Sequence, residues 1–254
     1  MRVIAINASP LMDKGNTALL LNPFLDGMRA EGADVELLYT KRLQIRPCQG
    51  DFSCWFRSPG QCIYNDDMKA LLPRMRDADI LVFATPLYLD GMAAPLKNLW
   101  DRMLPMLQPY VELRDGHCRH PLREPHKGVG AKVVLVANCG FWELDNFDSL
   151  VAHTKAMCRN TKREFAGGLL RPHGPVLSGM ATVGAPEAQA VLAAANGAGR
   201  ELIRSGCIAP GTLEAVCRPL LPLDAYLEVA KPPRRPSKQE SPLAREALTE
   251  RHSR

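Results

Sequence analysis

Four short apolar segments, separated by amphipathic helical patterns, constrain the fold of this chain more than any other feature. The segments predict strands at residues 3–7, 34–39, 79–84 and 132–137. Apolar runs of this kind suit strands that are buried on both faces of a parallel sheet. Helices are predicted around Met68–Met75, from Pro95 onward, and at 148–163 and 186–204. This alternation predicts an α/β fold with a doubly wound parallel sheet and helices on both faces.

Length and charge indicate one domain and a tail. The chain has 254 residues, of which 46% are hydrophobic and 23% charged, as in ordinary globular proteins. We expect one domain over residues 1–230, with inserted loops at 40–65 and 105–130. Residues 231–254 hold seven basic and three acidic side chains, which is most of the net charge of +5. We interpret them as a disordered basic tail without a nucleic-acid or membrane partner.

The sequence favours a cytoplasmic protein. The first residues lack the apolar core and cleavage site of a signal peptide, and no later apolar run approaches the length of a membrane span. In a reducing compartment the eight cysteines are more often buried, metal-bound or reactive thiols than disulfides.

The loop after the first strand offers hydroxyl and amide groups at the start of a helix: Ser9, Asn16 and Thr17. It matches neither a dinucleotide-binding glycine motif nor a nucleoside-triphosphate loop. The N–H groups and dipole of a helix N-terminus attract phosphate, so a monophosphate ester would suit this loop. The alternative is that Asn16 or Thr17 simply caps the helix. Pro23 is expected to kink or delay this helix.

The loop after the third strand carries a family resemblance. Pro86, Leu87 and Tyr88 precede small residues and a helix start that reads Pro-Leu-Lys-Asn from Pro95. This pattern resembles the NAD(P)H-dependent FMN reductase group of flavodoxin-like proteins. The resemblance implies a flavodoxin-like sheet of five strands, with the FMN phosphate on the first loop and the Pro86–Tyr88 loop along the isoalloxazine ring.

The loop after the 132–137 strand falls where that family closes on the other side of the flavin. The resemblance adds Asn138, Cys139, Gly140 and Phe141 to the expected cofactor-binding residues. Gly140 would bring backbone N–H groups near the polar edge of the ring. We interpret Cys139 as a small buried residue, with a redox thiol as the alternative.

A second resemblance concerns the cysteines of the 40–65 loop. Cys48, Cys54 and Cys62 are spaced as in iron-sulfur flavoproteins, a branch of the same superfamily whose four cysteines ligate a [4Fe-4S] cluster. Here Asp51 stands where the pattern has its second cysteine. A carboxylate is a harder and weaker ligand for such a cluster than a thiolate, so we expect neither a cluster nor another metal. The alternative is a labile cluster held by the three cysteines and Asp51.

The 105–130 segment is basic and contains a His-Cys-x-His cluster. We discount a metal there because neighbouring arginines repel cations, and we consider a subunit contact or a basic rim for the phosphates of NAD(P)H. Its charged and ligand-type residues are Arg114, His117, Cys118, Arg119, His120, Arg123, His126 and Lys127.

The resemblance implies an FMN-dependent oxidoreductase that passes hydride from NAD(P)H through FMN to a small acceptor, such as a quinone or a flavin. Because the cofactor supplies the chemistry, we assign no catalytic residue from the sequence. An electron carrier of the iron-sulfur flavoprotein type and a scaffold that has lost FMN remain as alternatives. The sequence leaves the acceptor and the choice of NADH or NADPH open, and the family suggests a homodimer or homotetramer.

Overall fold

A computed structural model describes residues 1–124 and 131–231 of the chain. It divides into two units, Met1–Leu220 and Leu221–Arg254. Within the second unit the structure describes one helix, Leu223–Val229, and the predicted tail from 232 onward lies outside the described residues. Among the described helices, none is both long enough and apolar enough to cross a membrane.

The first unit is built on one mostly parallel sheet. Its five parallel strands follow the spatial order β2-β1-β3-β7-β8, and the short β4 pairs antiparallel with β3. This order is that of flavodoxin-like sheets and confirms the predicted fold class. A separate hairpin is formed by β5 and β6. The strands are β1 (Arg2–Asn7), β2 (Asp34–Tyr39), β3 (Ile80–Tyr88), β4 (Gly91–Met92), β5 (Glu112–Arg114), β6 (His117–Arg119), β7 (Lys132–Asn138) and β8 (Glu164–Arg171).

Helices cover both faces of the sheet. On one face α1, α6, α7 and α8 bury their apolar sides against β1, β3, β7 and β8, and on the other α3, α4 and α5 do so. The helices are α1 (Asn16–Ala30), α2 (Ser53–Phe56), α3 (Met68–Asp77), α4 (Ala94–Asp101), α5 (Asp148–Asn160), α6 (Gly174–Thr182), α7 (Pro186–Ser205), α8 (Pro210–Cys217) and, in the second unit, α9 (Leu223–Val229).

Helices α1 and α7 touch through their backbones. A Cβ on Gly27 would lie 2.0 Å from the carbonyl oxygen of Asn196, and one on Gly199 would lie 2.0 Å from that of Phe24. Only glycine permits this approach. Of the two effects predicted for Pro23, the delay of α1 is wrong, because the helix begins at Asn16 and includes Pro23, and the kink stays a prediction. The buried apolar face of α1 offsets the hydrogen bond that proline removes.

Two predicted boundaries differ from the structure. Strand β3 continues past residue 84 to Tyr88, where it pairs with β4. Helix α5 ends at Asn160 rather than 163. The buried Arg163 instead donates hydrogen bonds to the carbonyls of Met75 and Ala78, at the end of α3 and just after it.

Candidate functional site

The three predicted loops meet at the carboxyl edge of the sheet. Strand β3 lies between β1 and β7, with Asn7 opposite Ala84 and Pro86 opposite Asn138. The N–H of Ala8 donates to the carbonyl of Ala84 over 2.8 Å, which extends this alignment into the first loop. In doubly wound sheets this edge is where ligands bind.

The first loop is held by its own side chains. The N–H of Ser9 donates to Asn7 Oδ1 over 2.8 Å, and the loop then turns so that α1 begins at Asn16. Gly15 packs against Ser9 so closely that a Cβ would lie 2.6 Å from Ser9 Oγ. The N-terminus of α1 has no side-chain cap. Its first N–H groups therefore suit a phosphate, which would take the place of a cap.

A buried hydrogen bond joins the first and third loops. The hydroxyl of Thr17 donates to Asn138 Oδ1 over 2.6 Å, although 121 positions separate the two residues. Both side chains are buried. Because the hydroxyl of Thr17 donates its proton to Asn138, the hydroxyl oxygen and the backbone N–H of Thr17 are left to bind a ligand.

The Pro86–Tyr88 loop is a hairpin rather than an open turn. Leu89 and Asp90 form its tip with φ of 46° and 57°, as in the two-residue turns with both central residues left-handed. Such a φ strains a leucine, and the Leu89 side chain is fully exposed. Thr85 Oγ1 accepts the N–H of Ala93 over 2.9 Å and closes the hairpin base.

The third loop places its candidate residues in different environments. Gly140 and Phe141 are exposed, whereas Cys139 is buried and its thiol contacts the carbonyl of Phe141. Burial raises the pKa of the Cys139 thiol. This environment favours the packing interpretation of Cys139 over the redox one, since a thiol that resists ionisation is a poor nucleophile.

A fourth loop, after β8, also belongs to this edge, and sequence reasoning missed it. The N–H of Cys139 donates to the carbonyl of Arg171, and the N–H groups of His173 and Gly174 donate to the carbonyls of Phe141 and Cys139. Strand β8 was not located because Gly167, Gly168 and a register shift opposite 133–134 interrupt its apolar pattern.

Arg171 and His173 form a buried polar pair behind the third loop. Arg171 donates to the carbonyls of Pro172, Val216 and Arg218 and to His173 Nε2 at 3.0 Å. His173 Nε2 also accepts the N–H of Leu220, so this nitrogen carries no proton. Burial, and then the charge of Arg171, lower the pKa of His173 to about 4. Burial lowers the pKa of Arg171 to about 10, so Arg171 stays charged at neutral pH.

Lys41 is a further residue that the sequence did not single out. Its ammonium group donates to the carbonyl of Pro10 over 3.0 Å, which places a cation on the first loop. No local pattern marks it, because its position depends on the pairing of β1 with β2.

The surface at this edge suits a planar ring. Leu11, Tyr88 and Phe141 are each more than half exposed, while the Leu87 side chain is buried in the core. Exposed apolar and aromatic side chains can pack against a heteroaromatic ring.

The basic hairpin lies away from this edge. Arg114 donates to the carbonyl of Arg159, and Arg119 to Asn160 Oδ1, at the end of α5 that is remote from the β7 loop. A rim for the NAD(P)H phosphates at this place is therefore not supported. Arg123 donates to the carbonyls of Pro105 and Leu107, and His126 and Lys127 lie outside the described residues.

The fold and the four loops define a flavodoxin-like α/β protein with an uncapped helix N-terminus and exposed apolar side chains at one edge of its sheet. The chain belongs to the NADPH-dependent FMN reductase family, whose model matches residues 1–140. This membership confirms the predicted family and FMN as the cofactor.

Curated relatives agree with the second resemblance. An iron-sulfur flavoprotein of Methanocaldococcus jannaschii is 35% identical over 106 residues, 42% of this chain and 53% of that protein. One of Archaeoglobus fulgidus is 34% identical over 102 residues, 40% of this chain and 48% of that protein. The chain thus spans about half the length of the curated relatives that it matches.

Solved structures share the fold. An NAD(P)H:quinone oxidoreductase of Methanothermobacter marburgensis has 20% identity and a TM-score of 0.54, and the match covers 80% of this chain and 96% of that one. An FMN-dependent NADH-azoreductase of Bacillus anthracis in complex with FMN has 16% identity and a TM-score of 0.54, with coverage of 80% and 97%.

The names of the curated relatives imply an iron–sulfur cluster, which residues 48–62 of this chain do not fit. Cys48, Asp51, Cys54 and Cys62 line one cavity of only about 10 Å³. In the described part of the chain, no group of three or more Cys, His, Asp or Glu side chains is arranged to hold a metal ion. The eight cysteines are free thiols.

Proposed function

We propose that this protein is an FMN-dependent oxidoreductase that takes hydride from NAD(P)H and reduces a small acceptor, such as a quinone or a flavin. The observation that carries the proposal is the meeting of the three loops at one sheet edge, joined by the Thr17–Asn138 hydrogen bond. The family match supports the cofactor. The solved structures support the fold alone.

The first loop would hold the FMN phosphate. We assign Ser9, Asn16 and Thr17 to this role, with the uncapped N–H groups of α1 as donors and the helix dipole as the electrostatic contribution. Lys41, which bonds to the carbonyl of Pro10, would neutralise part of the phosphate charge.

The second and third loops would hold the isoalloxazine ring. The side chain of Tyr88 and the backbone of Pro86 and Leu87 would lie along one side of it. Residues 138–141 would lie along the other, with the side chain of Phe141 and the backbone N–H of Gly140 toward the ring.

The buried positive charge of Arg171 would act electrostatically on the loop of residues 138–141. Its guanidinium interacts electrostatically with Cys139 and has no carboxylate partner among residues 1–124 and 131–231. A fixed positive charge near the polar edge of a flavin favours its reduced, anionic form. When bound, FMN supplies the hydride transfer, so these residues need to bind, orient and stabilise rather than to donate protons.

The test is the purified protein itself, reconstituted with FMN. We expect paired flavin absorption bands, rapid bleaching on anaerobic addition of NADPH or NADH, and recovery of the bands when a quinone such as menadione is added. A preparation that fails to take up FMN would refute the proposal and leave the scaffold alternative.

An electron carrier is the second candidate, and the names of the curated relatives favour it. A carrier would take up FMN but would bleach slowly with NAD(P)H and rapidly with a chemical reductant such as dithionite. The same stopped-flow experiment therefore separates the two candidates.

We further propose a cytoplasmic location, which the free thiols support. A homodimer or homotetramer would cover the exposed Leu11, Tyr88, Leu89 and Phe141. The division of the chain into a domain over 1–230 and a tail also remains our proposal.

A further inference from the structure

A cavity of about 500 Å³ lies away from the candidate flavin loops. It is enclosed by residues 60–65, by α3 and by the segments after α4 and β6. None of the ten candidate cofactor-binding residues lines it. Its volume is within the range of about 300–1,000 Å³ that is usual for small-molecule sites.

One part of the cavity wall is apolar. Tyr64, Leu72, Pro73 and Met106 contribute to this wall, and the cavity reaches the buried Met68. The guanidinium of Arg102 lies 4.9 Å from the centre of the Tyr64 ring. An aromatic side chain, a flexible methionine and proline rings provide contacts suited to a planar apolar group.

The lining of the cavity also carries positive charge. Lys69, Arg76, Arg102 and Arg123 line the cavity, and Glu124 is the one carboxylate among its described lining residues. Glu124 pairs with Arg76.

The two remaining charges, those of Lys69 and Arg123, are not balanced in this way. The ammonium of Lys69 donates to Asn65 Oδ1, and, within residues 1–124 and 131–231, the guanidinium of Arg123 donates to the backbone carbonyls of Pro105 and Leu107. Neither cation has a carboxylate partner in the described part of the chain. The cavity thus carries a net positive charge.

Arg102 is buried and neutralised by Asp66. Its terminal nitrogens bind both carboxylate oxygens of Asp66, yet its Nε is buried and makes no hydrogen bond within the described residues. Arg102 therefore lines the cavity without adding an unpaired charge to it.

The position of Arg123 is fixed by the chain around it. Gly60 has a φ of 82°, and a Cβ on it would lie 3.0 Å from Arg123 Cδ. The stem of Arg123 is therefore packed against a glycine turn, which reduces the entropy that its head loses when it binds an anion.

We infer that this cavity is a second binding site, for a small aromatic anion such as an arylcarboxylate or arylsulfonate. The aromatic part of the ligand lies against Tyr64, Leu72 and Met106. Its anionic group lies between Lys69 and Arg123. The site is separate from the candidate cofactor loops, because it shares no residue with them.

The test uses the FMN-saturated full chain and two fluorescent probes of the same shape. 8-Anilinonaphthalene-1-sulfonate carries the anionic group, and N-phenyl-1-naphthylamine lacks it. We expect saturable binding of one equivalent of the anionic probe, at least about tenfold tighter than the neutral one, because one charge-assisted hydrogen bond has that value.

Variants locate the site. Arg123→Met and Lys69→Met should each weaken the anionic probe about tenfold and leave the neutral probe unchanged, and Leu72→Trp should abolish both by filling the cavity. Arg74→Met is the matched control, since Arg74 lies on the same helix as Lys69, pairs with Glu36 and does not line the cavity.

Retained FMN absorbance and an unchanged circular dichroism spectrum establish that each variant is folded. Equal affinity for the two probes would overturn the inference. Binding that R123M and K69M leave unchanged, or that R74M weakens as much as they do, would also overturn it. Because the FMN site stays occupied throughout, failure here is distinguishable from failure of the proposed function.

Discussion

Replacing Thr17 by valine tests whether the first and third loops act as one site. Valine keeps the shape of threonine but removes the hydroxyl that donates to Asn138 Oδ1 over 2.6 Å. Asn138 is 7% exposed, so its oxygen would be left in a buried environment without this donor. A buried polar group that loses its partner costs about 1–3 kcal/mol.

Two measurements follow from this magnitude. Urea unfolding of the apo protein should show a free energy of unfolding lower by about 1–3 kcal/mol, and the melting temperature should fall by roughly 2–12 °C at about 2–4 °C per kcal/mol. Since FMN would then have to order two uncoupled loops, the dissociation constant for FMN, measured by quenching of its fluorescence, should rise about tenfold.

Thr154→Val is the matched control. Thr154 is also fully buried, but its hydroxyl donates within α5 to the carbonyl of Leu150, which keeps its helical hydrogen bond. We expect a smaller loss of stability and unchanged FMN affinity. If T17V bound FMN as tightly as the unaltered protein and unfolded like T154V, the coupling of the loops through Thr17 would be refuted.

Three further changes probe the surroundings of the site. Gly15→Ala should weaken FMN binding about tenfold, because the new Cβ would lie 2.6 Å from a serine hydroxyl in the same loop, whereas Gly179→Ala, with open space around it, should bind FMN normally. His173 has a folded pKa of about 4 against 6.5 for the free side chain, so the unfolded chain binds the extra proton between these values. The stability from His173 should thus be complete above about pH 6.5 and fall by up to about 3 kcal/mol toward pH 4; His173→Asn should flatten this dependence in urea titrations at pH 4.5 and 7.5. Asp66→Asn should lower the free energy of unfolding by about 3 kcal/mol, because it leaves the buried charge of Arg102 uncompensated. The affinity for FMN should stay unchanged.

The local pattern of the sequence was sufficient for the central strands and their loops. Strands β1, β2 and β7 and helix α7 begin and end within one residue of their predicted positions. Buried parallel strands and amphipathic helices leave a period in the sequence that nearby residues alone define, and in a parallel sheet the loops after β1, β3 and β7 must share one edge. The ten candidate residues could therefore be placed together before the structure was known.

The tertiary structure decided which partners those residues have. The Thr17–Asn138 bond and the cavity beside Arg123 each bring together residues more than 30 positions apart. The loop with Arg171 and His173 follows strand β8, whose apolar pattern is interrupted by Gly167 and Gly168. No local period encodes such contacts, because they arise only when sheet order and helix packing have fixed the distances. The sequence thus determined four of the five parallel strands, the three loops and the family pattern, whereas strand β8, the polar network around the site and the second cavity were decided by packing between distant segments.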